Sequence, residues 1–185
     1  MERRGRADNR FYQLGFNDAG LWAPPHDVTP PRGLDPTTEY LLRAGRFVRE
    51  VDERLKVAVP ADVANHLTQK LFTPFDAFDQ EELWVLLLTT KHEITHEAMV
   101  YRGTVNASHV RVGEVFKPAI RLNRPAIIIA HNHPSGDAQP SKDDVHVTNQ
   151  LIQAGRLLDV TILDHVVVGR NEWISLRERG MGNWS

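Results

Sequence analysis

Hydrophobic positions along this chain follow two different rhythms, and the change between them divides it. Val63, Leu67 and Leu71 recur at helical spacing and predict a helix from about Pro60 to Phe72. Before it, Asp35-Pro36 reads as an N-cap followed by proline at the first helical position. That helix is expected to run to about Leu55, with Leu41, Leu42, Phe47, Val48 and Val51 on one side. From Glu81 the texture changes. Leu83 to Leu88 is a continuous apolar run, as in a buried strand. Thr89 to Glu93 reads as a turn and Ile94 to Tyr101 as the return strand. A helix is expected over about Gly113 to Leu122, with Pro118 forcing a kink or a late start. Pro125 to His131 is a second apolar strand, followed by a loop and a helix from about Ser141 to Leu157. Val160 to Val168 reads as β structure, and Asn171-Glu172 as a turn before Trp173 to Ser175.

These elements add up to an α+β fold, a central sheet flanked by helices with an N-terminal helical segment ahead of it. The division expected is a tail over 1–34, the N-terminal helix over 35–59 and the main domain over 60–182. The tail assignment rests on five of the eleven prolines falling between Pro24 and Pro36, with no hydrophobic period visible.

Charge and composition narrow the chemistry. Lys+Arg 22 against Asp+Glu 24 leave a net charge of −2, which argues against a nucleic-acid coat or a polybasic membrane binder. Arg3, Arg4, Arg6 and Arg10 are a few tail charges that salt would screen, so nucleic acid is not expected as the primary partner. The apolar runs are too short to span a bilayer and no signal-peptide h-region follows the N-terminus, so a soluble cytoplasmic protein is expected. The absence of cysteine excludes disulfides, thiolate metal sites and a cysteine nucleophile. Nine histidines remain, so any bound metal is held by imidazole and carboxylate.

Two histidine motifs compete for that role. The first, His92-Glu93-Ile94-Thr95-His96, is a literal H-E-x-x-H, which on a helix serves a zinc protease. Here the β-branched Thr89, Thr90, Ile94 and Thr95 favour strand, and a hairpin turn fits better. The second runs from His131-Asn132-His133 through Pro134-Ser135-Gly136-Asp137 to Ser141 and Asp144. Strand alternation points His131 and His133 to one side of the strand's carboxyl end. Ser141 starts the next helix and Asp144 lies in its first turn. A loop of this length can fold the helix start over the strand end, bringing two imidazoles and a carboxylate together. Three protein ligands with a fourth position open is the arrangement of a catalytic zinc site. Plainer readings exist for the parts: Ser141 and Asp144 alone make a helix-capping pattern, and Pro-Ser-Gly-Asp is an ordinary turn.

The second segment resembles the JAMM (JAB/MPN) metalloprotease motif, H-x-H-x7-S-x2-D, and more specifically the RadC family. The likeness extends to Tyr101 through Asn106, Glu114-Val115-Phe116, Ala130 through Gly136 and Leu163-Asp164-His165 through Gly169, covering roughly residues 60–180. It implies a JAB/MPN-type domain, one Zn2+ per chain held by His131, His133 and Asp144, and a peptide or isopeptide substrate. It implies that Ser141 hydrogen-bonds the water or the developing oxyanion. A glutamate base is implied just before the first strand of the sheet. Glu81 is the leading choice, with Glu82 and Glu97 the alternatives. His165 is read as supporting a ligand or packing in the sheet, not as a fourth ligand. A second reading, from a different class, is a non-catalytic RadC-like zinc-binding module with a DNA-associated or partner-binding role. The helix-hairpin-helix module common in RadC proteins is not recognisable in residues 1–60, and Arg111-Val112-Gly113 stands where the family usually has His-Pro-Arg.

Overall fold

In the computed structural model, residues 47–103 and 110–184 are described. The expected tail and the first part of the helix expected from Asp35 lie outside them. Six strands form one sheet: β1 (Phe47–Lys56), β2 (Glu82–Leu88), β3 (Glu93–Arg102), β4 (Ala126–Asn132), β5 (Thr161–Val168) and β6 (Trp173–Ser175). Their order across the sheet is β1-β3-β2-β4-β5-β6. β2 pairs antiparallel with both β3 and β4, and β5 with β6, while β4 and β5 run parallel. The sheet is therefore mixed, and the parallel pair is joined by α3 (Lys142–Leu157), as a parallel connection requires. Two further helices are α1 (Pro60–His66), which continues into a π-helical turn over Leu67–Leu71, and α2 (Val112–Arg121). The α+β sheet-and-helix architecture read from the sequence holds.

Alternation sorts the central strands into two faces. Leu83, Val85 and Leu87 of β2, with Ile127 and Ile129 of β4, share one fully buried core with Val115 and Phe116 of α2 and Val147 and Leu151 of α3. The intervening residues face the other way. Leu86 lies directly opposite Glu97 on β3, and His66 of α1 hydrogen-bonds that carboxylate, which puts α1 on the second face. Both faces being covered explains why β2 and β4 are buried at every position and read as unbroken apolar runs.

One expectation is corrected. Residues 47–55 form an edge strand, not the end of a helix. Val48, Val51 and Leu55 keep helical spacing, but the free edge of β3 offers a row of backbone partners, and that tertiary pairing overrides local propensity. Of the two effects expected of Pro118, a late start does not occur: α2 begins at Val112, with the proline buried inside it. Among the described residues, no helix is long and apolar enough to cross a membrane.

Glu97 ties β1 and α1 to the sheet. Its carboxylate, 1% exposed, accepts a 2.7 Å bond from Arg49 Nε on β1 and pairs with His66 on α1. Burial opposes its ionisation, but the His66 bond and the Arg49 charge outweigh burial and hold the carboxyl below its ordinary range. A depressed carboxylate stabilises the fold above its unfolded pKa, and that contribution is lost as pH falls through the folded value. Glu97→Gln is therefore expected to lower the melting temperature at pH 7. The gap from wild type should close as pH falls below about 4, which thermal unfolding across a pH series would show. A gap of constant size at every pH would contradict the assignment.

Candidate metal centre

The site lies where β4 ends and α3 begins. Strand alternation carries His131 to the same face as Ile129, and the chain leaves the sheet immediately after Asn132. His133 N–H still bonds the Val168 carbonyl at 2.9 Å, which fixes its backbone beside β5. Gly136 turns the loop at a φ of +92°, a left-handed conformation that glycine adopts without strain. Gly169 admits the loop closely: a Cβ there would sit 2.4 Å from the Gly136 carbonyl oxygen. Arg170 N–H bonds that same carbonyl at 2.9 Å, and Ala138 N–H bonds Glu172 Oε1 at 3.2 Å, so the loop is pinned to the β5–β6 turn.

Helix α3 then opens with a capping box. Asp144 N–H donates to Ser141 Oγ at 3.1 Å, and Ser141 N–H donates back to Asp144 Oδ2 at 2.7 Å. The Ser141 hydroxyl also gives its hydrogen to Asp144 Oδ2, at 2.6 Å. The cap thus holds the carboxylate as well as the helix. It leaves Asp144 Oδ1 3.3 Å from His131 Nε2 and Oδ2 3.6 Å from His133 Nε2. The two Nε2 atoms are 2.9 Å apart. Among the described residues, His131, His133 and Asp144 form a group able to hold a metal ion, each offering one ligand atom within 4.8 Å of the others.

The chemistry of this donor set fits a cation. His133 Nδ1 lies 2.8 Å from the Asp137 carbonyl, which only accepts, so Nδ1 carries the hydrogen and neutral His133 presents a lone pair at Nε2. That lone pair faces a second imidazole and a carboxylate, an arrangement that calls for positive charge between them. Burial drives the His131 imidazole well below its ordinary range, with His165 adding to the effect. Burial also acts on His133, but the Asp144 carboxylate 3.6 Å away, the Asp137 carbonyl and the charge of Glu81 prevail and raise it. Asp144 is pulled the other way. Burial opposes its ionisation, yet the His133 and His131 imidazoles beside it and the bonds from Ser141 hold its carboxyl far below the carboxylate range. The group is therefore a standing carboxylate beside two nitrogens.

The sheet register separates the three candidate bases. Leu83 pairs with His131, so alternation along β2 puts Glu82 on the opposite face and Glu81, two residues before Leu83, on the face of His131. The charge of Glu81 acts on His133. Glu82 falls on the other face, where its carboxylate accepts from Trp84 Nε1 at 2.9 Å and lies 3.5 Å from Arg102 Nε. Glu97 is also on that other face, held by Arg49 and His66. The H-E-x-x-H segment is not helical. His92 sits in the β2–β3 turn at a φ of +57°, and Glu93 to His96 lie in β3, so its two imidazoles do not stack one turn apart on a helix. The helix on which the zinc-protease reading of that motif depends does not exist.

Sequence reasoning left His165 undecided and missed Thr148. His165, fully buried on β5, places Nε2 2.8 Å from His131 Nδ1 and Nδ1 2.6 Å from Thr148 Oγ1. The signal for Thr148 was present: it lies four residues after Asp144, one helical turn along the same face. Beside the centre, an open cleft of about 350 Å³ is lined by Ser135, Gly136, Arg170, Asn171 and Glu172. Arg170 is fixed by an ion pair with Asp76 and lies 5.6 Å over the Phe75 ring.

A family described as "RadC-like JAB domain" matches residues 57–181. A UPF0758 protein of Chloroflexus aggregans is 49% identical over 148 residues, covering 79% of this chain and 63% of its own length. A UPF0758 protein of Roseiflexus castenholzii is 48% identical over 130 residues, covering 70% of this chain and 54% of its own. One from Staphylococcus haemolyticus is 37% identical over 161 residues, 84% of this chain and 69% of its own. The chain thus spans between about half and two thirds of the length of such relatives.

Proposed function

This chain belongs to the RadC-like JAB domain family, and from that premise we propose that it is a zinc-dependent hydrolase of JAMM type, cleaving a peptide or isopeptide bond. One observation carries the reading: two imidazole nitrogens and a carboxylate converge at the end of β4, with Glu81 on the same sheet face. His131, His133 and Asp144 would hold the ion. A zinc ion bound there supplies Lewis acidity and makes a hydroxide nucleophile accessible near pH 7. Glu81 takes the proton from the attacking water and delivers it to the leaving amine. Ser141 holds Asp144 in place through the cap, and its hydroxyl can turn toward the oxyanion that develops on the substrate carbonyl. The cleft along Ser135, Gly136 and Arg170 offers room for the chain on one side of the scissile bond.

The test is hydrolysis by zinc-loaded protein of a panel of unfolded polypeptides and lysine-ε-linked isopeptides. The expected result is cleavage that a chelator removes and added zinc restores. A zinc-loaded protein that cleaves neither class would favour instead the non-catalytic zinc-binding module.

A further inference from the structure

The hydrogen bonds behind the metal centre have a direction, and tracing it assigns a role to two residues that touch neither metal nor substrate. Thr148 Oγ1 lies 2.6 Å from the Asp144 main-chain carbonyl. A carbonyl only accepts, so the hydroxyl hydrogen is committed to it. Thr148 Oγ1 then meets His165 Nδ1, 2.6 Å away, only as an acceptor, and His165 must carry its hydrogen on Nδ1. Neutral His165 is left with a lone pair at Nε2. That lone pair faces His131 Nδ1 at 2.8 Å, so His131 must carry its hydrogen on Nδ1 in turn. The consequence falls on the last atom in the line: His131 Nε2 is unprotonated and points at His133 and Asp144.

We propose that Thr148 and His165 are positioning residues that fix His131 in the Nδ1–H tautomer and so present its Nε2 lone pair to the metal. The inference rests on the reading that His131, His133 and Asp144 hold the ion. The relay starts at the backbone of Asp144 and ends at His131, so it closes a ring through two of the three proposed ligands. It ties together α3, β5 and β4, the elements that carry them. His131 and His165 lie on the same face of the parallel β4–β5 pair, where Ile129 is the register partner of His165. All three relay side chains are fully buried, so water does not offer a substitute partner. Such outer partners orient a ligand ring and raise its basicity. His133 reaches the same tautomer by a shorter route, through the Asp137 carbonyl.

Thr148→Val tests this, because it keeps the shape of the side chain and removes the oxygen. His165 then has no acceptor at Nδ1 and satisfies itself by carrying its hydrogen on Nε2. That hydrogen points at His131 Nδ1, whose own hydrogen must move to Nε2, the metal-binding atom. Long-range 15N–1H NMR on metal-free protein at about pH 8, above the imidazole range, reads these tautomers directly. Wild type should show Nδ1–H at both His131 and His165, and Thr148→Val should show Nε2–H at both. Zinc affinity by chelator competition should fall about 10–100-fold in Thr148→Val, and Thr148→Ser, which restores the oxygen, should recover it. Wild-type protein with His131 protonated at Nε2, or Thr148→Val binding zinc as wild type does, would overturn the relay. Wild-type protein that shows the expected tautomers but binds no zinc would leave the relay standing and overturn the metal-site reading alone.

Discussion

Asp144→Asn is expected to abolish tight zinc binding while leaving the fold in place. The amide keeps an oxygen that can accept from Ser141 N–H, so the cap of α3 survives. What is lost is the negative charge 3.3 Å from His131 Nε2 and 3.6 Å from His133 Nε2. The loss should exceed the factor of about 10–100 typical of removing an outer partner, because a proposed ligand itself is changed. Thermal unfolding gives a second readout. Zinc at a hundred times its Kd stabilises the native state by about 2.7 kcal/mol, and a chain of this size gains about 2–4 °C per kcal/mol. Wild type should therefore melt roughly 5–11 °C higher with zinc, and Asp144→Asn should not respond. His92→Ala, in the β2–β3 turn, should respond as wild type does. A variant at Asp144 that still binds zinc tightly would place the ion elsewhere.

Glu81→Gln is expected to separate catalysis from metal binding. On a substrate identified by the hydrolysis panel, kcat should fall about 10²–10⁴-fold, the range for a general acid–base group, with zinc content unchanged. Glu82→Gln should keep its catalytic rate, since that side chain lies on the opposite sheet face against Trp84 and Arg102. A Glu82→Gln variant that loses catalysis while Glu81→Gln retains it would reverse the assignment of the base.

What the sequence discloses about this site is what local geometry determines. His131 and His133 are two apart on a strand, and Ser141 and Asp144 are three apart at a helix start, so each pair is oriented by its own element. The capping box assembles as its pattern implies, and it also holds the carboxylate in place. The choice between Glu81 and Glu82 is different in kind. It depends on which pairing register β2 adopts against β4, and a one-residue slip would exchange their faces. Spacing within one segment does not contain that register. The His131–His165 contact is further removed still, joining strands 34 residues apart through a parallel pairing that runs by way of α3. The β1 strand was hidden for a related reason. Its apolar spacing is helical, and only the open edge of β3 makes it a strand. His66 and Glu97 likewise carry no mutual spacing, yet their pair fastens α1 to the sheet.

The most direct measurement is anomalous diffraction at the zinc edge from crystals of the zinc-loaded protein. One strong peak is predicted about 2.0–2.2 Å from His131 Nε2, His133 Nε2 and an Asp144 carboxylate oxygen, with Glu81 facing its open side. A peak absent from that position, or present only beside His92 and His96, would contradict it.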